Sequence, residues 1–385
     1  MATKEKILCI TTVDWDHEFK GIYHHIPYVL ANEHEVVFVE RVRYFSELST
    51  VKLSRFFRFL KPGRKVKENL LVITPPPAIP LLDKIPLLNR INDWIFLCFL
   101  KMKLKKLNFK PTILWLFSYN AYFTVGKLGE GLSLYYCYDQ HSVWETSHNI
   151  KREELLAKKV NLLFATSTRI AEGKKQFNDN IRLIQHGVDL DIYNKNTLSL
   201  PQDLKNIQRP VIGYIGNIKY GIDLDLFEYI AQAHPEWSIV LIGPLVLMSD
   251  ALKKRWENLP HKNIYLLGYK PIPELPAYIH SLDVALLPYL LIEDVSWCGI
   301  PLKLFEYLVM GKPIVSTDFV NFEGIPSQYY EIGKDYRDFV RKIEESLKNN
   351  SPEKEQERIA FAQNNSWQKK IEEMFEYINI VRANR

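Results

Sequence analysis

Short, continuous runs of apolar residues recur along the chain, and amphipathic segments with apolar positions three or four apart lie between them. Continuous runs predict strands that are buried on both faces, and the amphipathic segments predict helices. Alternation of the two predicts a doubly wound, largely parallel α/β sheet. The strands predicted in the first half of the chain are Lys6–Thr12, Glu35–Val39, Leu70–Thr74, Thr112–Phe117, Leu134–Cys137 and Leu162–Thr166.

A polar stretch at Asp191–Pro210 predicts an interdomain linker, after which a second α/β series begins. Two such halves predict two Rossmann-like domains that face a cleft, with ligands at the carboxyl ends of the strands. A charged, amphipathic helix is expected near the end of the chain, at Gln368–Ile380. The strands predicted in the second half are Val211–Tyr214, Ile239–Ile242, Ile264–Leu267, Val284–Leu287 and Ile314–Ser316.

Two charges interrupt the apolar segment that reads PLKLFEYLVMGKPIVST, which predicts a helix, a glycine stop and a buried strand. Lys303 falls in the first helical turn, where a cation opposes the helix macrodipole. An anion held by both the lysine and the helix N-terminus would remove that conflict. Glu306 is suited to accept hydrogen bonds from ribose hydroxyls. The alternative is an i, i+3 ion pair between the two side chains on a solvated helix face.

Several motifs occur in the order expected for GT-B glycosyltransferases, and the chain resembles the large retaining group often called family 4. The resemblance implies two Rossmann-like domains around a central cleft, with the C-terminal helix crossing back onto the N-terminal domain. It assigns the acceptor to residues 1–189 with 367–385, and the nucleotide-sugar donor to 190–366. The motifs are HGVD, GYIGNIKYGIDLDL, WSIVLIGP, NIYLLGYKPIPELPAYI, DVALLPY and the Pro301–Thr317 segment.

The resemblance implies a donor site built from Gly216, Lys219, Lys303 and Glu306. Glycine after a strand permits close backbone approach, although an ordinary strand–helix turn would look the same. In the family, a basic residue of this loop meets the donor diphosphate, and Lys219 is the nearest match. Two lysines would stabilise a leaving diphosphate, so we expect transfer without a metal ion or other cofactor. A UDP-sugar is the first expectation for the co-substrate.

One departure from the family concerns the position eight residues before Glu306. Many relatives carry a glutamate there, close to the donor sugar, whereas this chain has Cys298. The choice between retention and inversion of the anomeric configuration therefore stays open. Glu293 or Asp294 from the same loop is a candidate to replace this glutamate. The alternative is that each is a solvated acid of the loop.

A second departure lies after the first strand, where many relatives have a glycine-rich loop. This chain has Asp14, Asp16 and His17, with only Gly21 nearby. These polar side chains are candidates to contact an acceptor hydroxyl or the donor sugar. The alternative is a polar turn in which Asp14 or Asp16 caps the following helix.

Asp139 follows a predicted strand in the stretch YYCYDQH, which resembles part of bacterial exopolysaccharide glycosyltransferases. A carboxylate at that strand end would take a proton from an acceptor hydroxyl, as in an inverting GT-B subgroup. A turn-forming aspartate is the alternative. His186 begins the HGVD motif and is expected to shape the hinge at the floor of the cleft.

Charge is distributed unevenly, although the net charge is only +5. Residues 41–110 contain 16 lysines and arginines against 4 acids, a net charge of +12. Basic and aromatic side chains alternate in residues 51–67 and again in 89–110, which predicts interfacial helices at an anionic membrane surface. The alternative is that the aromatic groups pack into the core. No nucleic-acid-binding module is recognisable, so nucleic acid is not expected as a partner.

The four cysteines lie far apart and the longest apolar spans are too short to cross a membrane, so a cytoplasmic protein is expected. The function expected from the resemblance is sugar transfer to a glycan or lipid-linked acceptor in cell-surface polysaccharide synthesis, at the inner face of the plasma membrane. One rival is a nucleotide-sugar epimerase of the same architecture. The other is a degenerate relative that acts as a membrane-surface scaffold.

Overall fold

The computed structural model describes residues 4–17, 20–45, 47, 57–79, 86–139, 147–193, 198–292, 299–320 and 322–384. The chain forms two compact units. The first comprises Met1–Ile184 together with Ile371–Arg385, and the second comprises Gln185–Lys370.

The first unit is built on an eight-stranded sheet with the order β3-β4-β2-β1-β5-β6-β7-β8. All described pairs are parallel except β3 with β4. Strand order reverses between β1 and β5, where Ile7 of β1 pairs with Val36 on one side and Ile113 on the other. The strands are β1 Lys6–Ile10, β2 Glu35–Val39, β3 Arg64–Lys67, β4 Leu70–Ile73, β5 Ile113–Leu116, β6 Leu132–Cys137, β7 Leu162–Ala165 and β8 Ile181–Leu183.

Helices of the first unit pack their apolar positions onto this sheet, and the central strands are buried along their whole length. The C-terminal helix belongs to this unit from residue 371 onwards. It is held there by an ion pair of 2.6 Å between Arg382 and Glu5, and by its Phe375 ring, 4.7 Å from the ring of His34. The helices are α1 Ile22–Leu30, α2 Pro86–Lys106, α3 Ser147–Lys159 and α4 Thr168–Lys174.

The second unit has a six-stranded parallel sheet with the order β11-β10-β9-β12-β13-β14. Strand order reverses between β9 and β12, the type of position at which open α/β sheets bind ligands. At this point Gly213 of β9 lies so close to its neighbour that an added Cβ would come within 2.6 Å of the Val240 carbonyl oxygen. The strands are β9 Val211–Ile215, β10 Ser238–Ile242, β11 Ile264–Gly268, β12 Val284–Leu287, β13 Ile314–Thr317 and β14 Glu331–Gly333.

Side-chain caps begin four helices of the second unit, with Asp223, Ser249, Asp335 and Ser351 each accepting a backbone N–H from the first turn. The predicted glycine stop is confirmed, because Gly311 has φ +71° just after the helix that carries Lys303. The helices are α5 Leu224–Ala233, α6 Asp250–Glu257, α7 Leu275–Ser281, α8 Leu302–Val309, α9 Tyr336–Asn349, α10 Pro352–Gln363 and the start of α11 Trp367–Ala383.

The predicted fold class is confirmed: both units are α/β with largely parallel sheets. In the basic stretch 51–67, a helix was expected only up to Pro62, and the cations after it lie in Arg64–Lys67, an antiparallel edge strand that was not predicted. Residues 51–56 lie outside the described residues. The pattern analysis also missed β8 and β14, which are only three residues long. It missed α9 as well, although Phe339, Val340 and Ile343 are spaced as a buried helical face.

Candidate functional site

Two glycines bring the ends of neighbouring strands together at the switch point of the second sheet. Gly216 follows β9 with φ +145°, and Gly243 follows β10 with φ +143°. The Gly216 N–H donates to the Ile242 carbonyl at 2.7 Å, and a Cβ on Gly243 would collide with the Gly216 carbonyl oxygen. Any side chain at either position would be strained and obstructed. Glycine is therefore required at both positions, and a ligand-binding role for Gly216 stays a prediction.

Lys303 lies directly against Gly216. The nearest heavy atoms to a Cβ added at Gly216 would be Cε and Nζ of this lysine. Its ammonium stands 5.5 Å from the centroid of the Tyr214 ring, a cation–π contact. Among the described residues, no carboxylate forms an ion pair with it. The first turn of α8 thus carries a positive charge that the described part of the unit does not neutralise.

Glu306 faces tyrosines rather than Lys303. The Tyr193 hydroxyl donates a hydrogen bond to its carboxylate. Burial, and after it the charge of Glu306, holds the pKa of Tyr193 well above its ordinary value, so the phenol stays a donor. The i, i+3 ion pair considered above is not formed within the described structure. Its absence leaves both the lysine and part of the carboxylate available to a ligand.

Tyr307 fixes α8 to the end of β9. Its hydroxyl accepts the Ile215 N–H at 2.9 Å and lies 3.4 Å from the Ile215 carbonyl oxygen, and its ring is fully buried. This hydrogen bond holds α8 at a fixed distance from the end of β9 and the glycine loop. Neither Tyr193 nor Tyr307 was predicted as a site residue. Tyr193 is more than 100 residues from Glu306 in the chain, so the sequence gives no sign of their contact. Tyr307, in contrast, is adjacent to Glu306 and could have been identified.

Lys219 lies in the loop that continues from Gly216, and it is half-buried. Backbone hydrogen bonds of 3.0 Å join Ile218 to Pro244 and Val246, so this loop is anchored to the end of the neighbouring strand. Within the described residues Lys219 has no ion-pair partner. The loop therefore presents a second cation without a counter-charge.

His186 is buried, and burial lowers the pKa of its imidazole to about 4. Its Nδ1 has no hydrogen-bond partner in the part of the chain that the structure describes. The ring lies 6.1 Å from the ring of Trp367. Gly187, the next residue, packs against the Trp367 backbone, where an added Cβ would approach the nitrogen to 2.7 Å. The HGVD motif thus joins the start of α11, and a role for His186 in ligand contact stays a prediction.

Cys298, Glu293 and Asp294 lie outside the described residues. The prediction that one of the two acids replaces the family glutamate is therefore untested by the geometry.

In the first unit, the acids that follow β1 are paired with arginines. Asp14 is buried and lies 2.7 Å from Arg43 and 3.6 Å from Arg41. Asp16 lies 2.9 Å from both Arg58 and Arg64. Burial would raise the pKa of Asp16, but the Arg58 hydrogen bond and the Arg64 charge outweigh it and lower the pKa.

The helix-cap alternative for these acids is wrong, because α1 begins at Ile22 with Gly21 as its N-cap and has no side-chain cap. Instead His24 spans the loop: its Nδ1 accepts the Gly21 N–H at 3.3 Å and its Nε2 contacts the Asp14 carbonyl oxygen at 3.0 Å. Burial lowers the pKa of His24 to about 4. The exposed His17 closes a turn, its N–H donating to the Asp14 carbonyl oxygen at 3.1 Å. This loop is therefore internally braced.

Asp139 is half-buried just beyond the carboxyl end of β6. The preceding residue, Tyr138, forms a side-chain hydrogen bond with Thr12 and places its ring 6.0 Å from that of Tyr23. These contacts bring the end of β6 next to the loop after β1 and the first turn of α1. The structure thus gathers Asp139 and the Asp14–Gly21 loop at one edge of the first sheet.

The described residues include no group of three or more His, Cys, Asp or Glu side chains suited to hold a metal ion. Within the same part of the chain, no helix has both the length and the apolar character needed to cross a bilayer.

Part of the chain resembles proteins of known class. Residues 209–349 match the family model described as glycosyl transferases, group 1. The chain is 26% identical over 207 residues to the putative teichuronic acid biosynthesis glycosyltransferase TuaH of Bacillus subtilis (strain 168), covering 52% of this chain and 51% of that protein. It is 38% identical over 63 residues to the amylovoran biosynthesis glycosyltransferase AmsK of Erwinia amylovora, covering 16% and 15%. The chain thus matches about half the length of the first relative and less of the second.

Solved structures resemble the chain over nearly its whole length. Sucrose-phosphate synthase from Thermosynechococcus elongatus superposes with a TM-score of 0.71 at 14% identity, covering 99% of this chain and 100% of that one. Anabaena HepE, solved in complex with UDP-glucose, gives a TM-score of 0.65 at 13% identity and covers 97% and 99%. At such identities the likeness establishes the fold. The chain therefore has the GT-B fold, and its residues 209–349 match the model of the group 1 glycosyl transferases.

Proposed function

We propose that the protein transfers a sugar from a nucleoside diphosphate sugar, with UDP as the carrier, to a hydroxyl of a glycan or lipid-linked acceptor in cell-surface polysaccharide synthesis. The observation that carries the proposal is Lys303, a cation in the first turn of α8 that lies against Gly216 without a carboxylate partner among the described residues. The relatives TuaH and AmsK are glycosyltransferases by name and support the same class. They give no support to the epimerase or scaffold alternatives.

A diphosphate suits this edge of the second sheet for three physical reasons. The N-terminus of α8 offers unpaired backbone N–H groups and the positive end of the helix dipole. Gly216 has no side chain, so phosphate oxygens can approach the backbone closely. Lys303 and Lys219 supply charges that the described residues do not neutralise. Charge that develops on the departing diphosphate is stabilised by groups already in position.

Glu306 would bind the ribose. Its carboxylate accepts one hydrogen bond from Tyr193, which fixes its orientation and leaves lone pairs for two further donors. Ribose hydroxyls are such donors, whereas phosphate oxygens are repelled by the same charge. We assign Glu306 to the nucleoside end of the donor and Lys303 to its phosphate end.

The lysines, rather than a metal ion, are proposed to neutralise the diphosphate. UDP binding measured by calorimetry should then be unchanged by excess EDTA. A loss of binding on chelation, restored by added Mg²⁺ or Mn²⁺, would contradict this assignment.

The acceptor is assigned to the first unit, with Asp139 as the base that takes the proton of its hydroxyl. Support comes from the place of Asp139 at the carboxyl end of β6, beside the loop after β1. Whether the product is inverted or retained is decided by NMR of its anomeric proton.

The decisive experiment incubates the purified full chain with a panel of UDP- and GDP-sugars and records binding and donor consumption. UDP binding and slow release of UDP that accelerates with a glycan acceptor support the proposal. Conversion of the donor into an isomeric nucleotide-sugar without any acceptor would indicate the epimerase. Failure of every nucleotide to bind would indicate the scaffold.

We further propose that the protein binds the cytoplasmic face of an anionic membrane through α2. The buried face of this helix is core, with Phe96, Phe99 and Leu100 at most 7% exposed. For these residues the alternative of core packing is correct.

The opposite face of α2 is exposed and apolar along a line of i, i+3 and i+4 positions. Ile91 is 43% exposed, Trp94 65% and Met102 46%, and Lys101 and Lys105 beside them are exposed as well. An apolar stripe flanked by lysines suits the headgroup region of an anionic bilayer. A lipid-linked acceptor would be delivered to the same unit.

Flotation with liposomes tests this surface. The protein should float with vesicles rich in phosphatidylglycerol, and less at high salt because the charges are screened. Replacing both Trp94 and Met102 by serine should abolish flotation, whereas the matched exposed change Ile380→Ser on α11 should not. Equal flotation with neutral and anionic vesicles, or none at low salt, would overturn the membrane assignment.

A further inference from the structure

Tyr214 lies near the carboxyl end of β9, where strand order reverses in the second sheet. The residue is only 1% exposed, so its side chain cannot contact a ligand without a rearrangement. A Cβ added at Gly216 would meet Cε and Nζ of Lys303 and, at 3.3 Å, the hydroxyl oxygen of Tyr214. The tyrosine hydroxyl, the lysine ammonium and the glycine backbone therefore converge at one point.

The ring of Tyr214 supports the ammonium group of Lys303. The Nζ atom lies 5.5 Å from the ring centroid, within the range of a cation–π contact. A lysine ammonium is carried on a flexible four-carbon stem, and its place is set by what surrounds it. A carboxylate partner would hold the ammonium but also neutralise it. The ring holds the ammonium and leaves its full charge for an anionic ligand.

The hydroxyl of Tyr214 holds the loop that carries Lys219. It donates to the Asn217 carbonyl oxygen at 3.1 Å, and burial raises the pKa of the phenol, which therefore keeps its proton. The Tyr289 side chain forms a second hydrogen bond with this hydroxyl. Beyond Asn217, the Ile222 N–H donates to the Lys219 carbonyl oxygen at 2.9 Å. The loop is thus fixed on both sides of Lys219.

We infer that Tyr214 is a positioning residue of the diphosphate site, whose ring orients Lys303 and whose hydroxyl holds the loop of Lys219. One buried side chain links the two cations, so an anionic ligand meets both of them already in place. Charges that are fixed in advance bind an anion more tightly, because less freedom is lost on binding. The role of Tyr214 rests on the proposed donor site and adds to it a residue that does not touch the donor.

Two substitutions separate the ring from the hydroxyl in calorimetry with UDP. Tyr214→Phe keeps the cation–π contact and removes the hydrogen bonds, so UDP should bind about 3- to 10-fold more weakly. Tyr214→Leu also removes the ring, and the total loss should be about 10- to 30-fold. The matched control is Tyr278→Phe on α7. It removes a buried hydroxyl that donates to Asp203 at 2.9 Å, and it should bind UDP normally.

Double-mutant cycles provide a readout that a purely structural tyrosine would not change. In a Lys219→Ala background, Tyr214→Phe should weaken UDP binding by less than about 2-fold, because the hydroxyl acts through the loop of Lys219. In a Lys303→Ala background, Tyr214→Leu and Tyr214→Phe should bind UDP equally. A tyrosine that only stabilises the fold would lower affinity by the same factor in every background. Additive losses would therefore overturn the inference.

Inorganic pyrophosphate, measured beside UDP, separates the role of Tyr214 from the function on which it rests. If the wild type binds UDP and both Tyr214 variants bind it equally well, the positioning role fails alone. If pyrophosphate binds with the predicted losses in the variants but no nucleotide binds, the proposed transferase fails and the positioning role stands. If neither ligand binds the wild type, both fail.

Discussion

The carboxyl edges of the two sheets both carry charged side chains, but they use them differently. At the edge of the first sheet, Asp14 and Asp16 each lie between two arginines. At the edge of the second, Lys303 and Lys219 have no ion-pair partner among the described residues. Charges that are already paired stabilise the fold and offer little to an ionic ligand. Unpaired charges can form favourable electrostatic interactions with a ligand of opposite charge.

This difference indicates that the two units bind different kinds of ligand. The second unit is suited to an anion, and the donor diphosphate is the anion of the proposed reaction. In the first unit, Asp14 and Asp16 are paired with arginines, so these acids offer little to a charged ligand. Variants at both edges test this difference between the units.

The largest expected effect concerns Asp139. We propose that it acts as a base, whereas Asp14 and Asp16 at the same edge of the first sheet have structural roles. Asp139→Asn should leave UDP affinity unchanged and lower turnover by about two to four orders of magnitude, because the amide cannot take the proton of the acceptor hydroxyl. Initial rates with saturating donor and acceptor measure this. Asp16→Asn provides the matched control and should have a small effect on turnover, since its carboxylate binds Arg58 and Arg64. Near-normal turnover in Asp139→Asn would make it a turn former.

Removal of the unpaired cation tests the second edge. Lys303→Ala should weaken UDP binding by about 10- to 100-fold, the usual scale for charge-assisted hydrogen bonds, without a loss of stability. The exposed lysine of the same unit, Lys262, gives the control Lys262→Ala, which should bind UDP normally. Calorimetry with UDP and with uridine separates the phosphate contribution. Equal losses for both ligands would contradict a phosphate role.

His186 should make the second unit sensitive to acid. Its pKa is about 4 in the folded protein, against the ordinary 6.5, so the unfolded chain binds the proton first as pH falls. Stability from the neutral histidine is therefore lost between pH 6.5 and 4, by about 3 kcal/mol in total. His186→Phe should reduce this slope in urea titrations, since the buried His24 still contributes a similar dependence, and His280→Gln, at an exposed site, should leave the slope as in the wild type. Parallel slopes for His186→Phe and the wild type would refute the assignment.

Gly216→Ala tests whether the close approach at β9 is needed. A side chain at φ +145° is strained and would displace Lys303, so we expect a destabilisation of about 1–2 kcal/mol and weaker UDP binding. Gly173→Ala is the control, since a Cβ there meets no atom within 4 Å and the residue lies within α4. Thermal unfolding with and without UDP reports both effects. A stable variant that binds UDP normally would return the loop to an ordinary turn.

The local features of this protein were readable from its sequence. Continuous apolar runs predicted the strands of both sheets except β3, β8 and β14, because parallel strands are buried on both faces. The helix of Lys303 and Glu306, its stop at Gly311 and the glycine after β9 were all predicted, since each depends on neighbours within a few residues. Even α9 carried a readable apolar face, which the pattern analysis overlooked.

Tertiary structure alone decided the partner of each charge. Nothing in the spacing indicates that Glu306 would accept from Tyr193 rather than pair with Lys303, or that Asp14 and Asp16 would bind arginines instead of capping α1. Side-chain pairing depends on which surfaces the sheet order brings together, and that order arises from packing of the whole domain. The sequence therefore specified which charged and polar side chains lie at each sheet edge. The fold determined which of them are paired within the protein and which can bind a ligand.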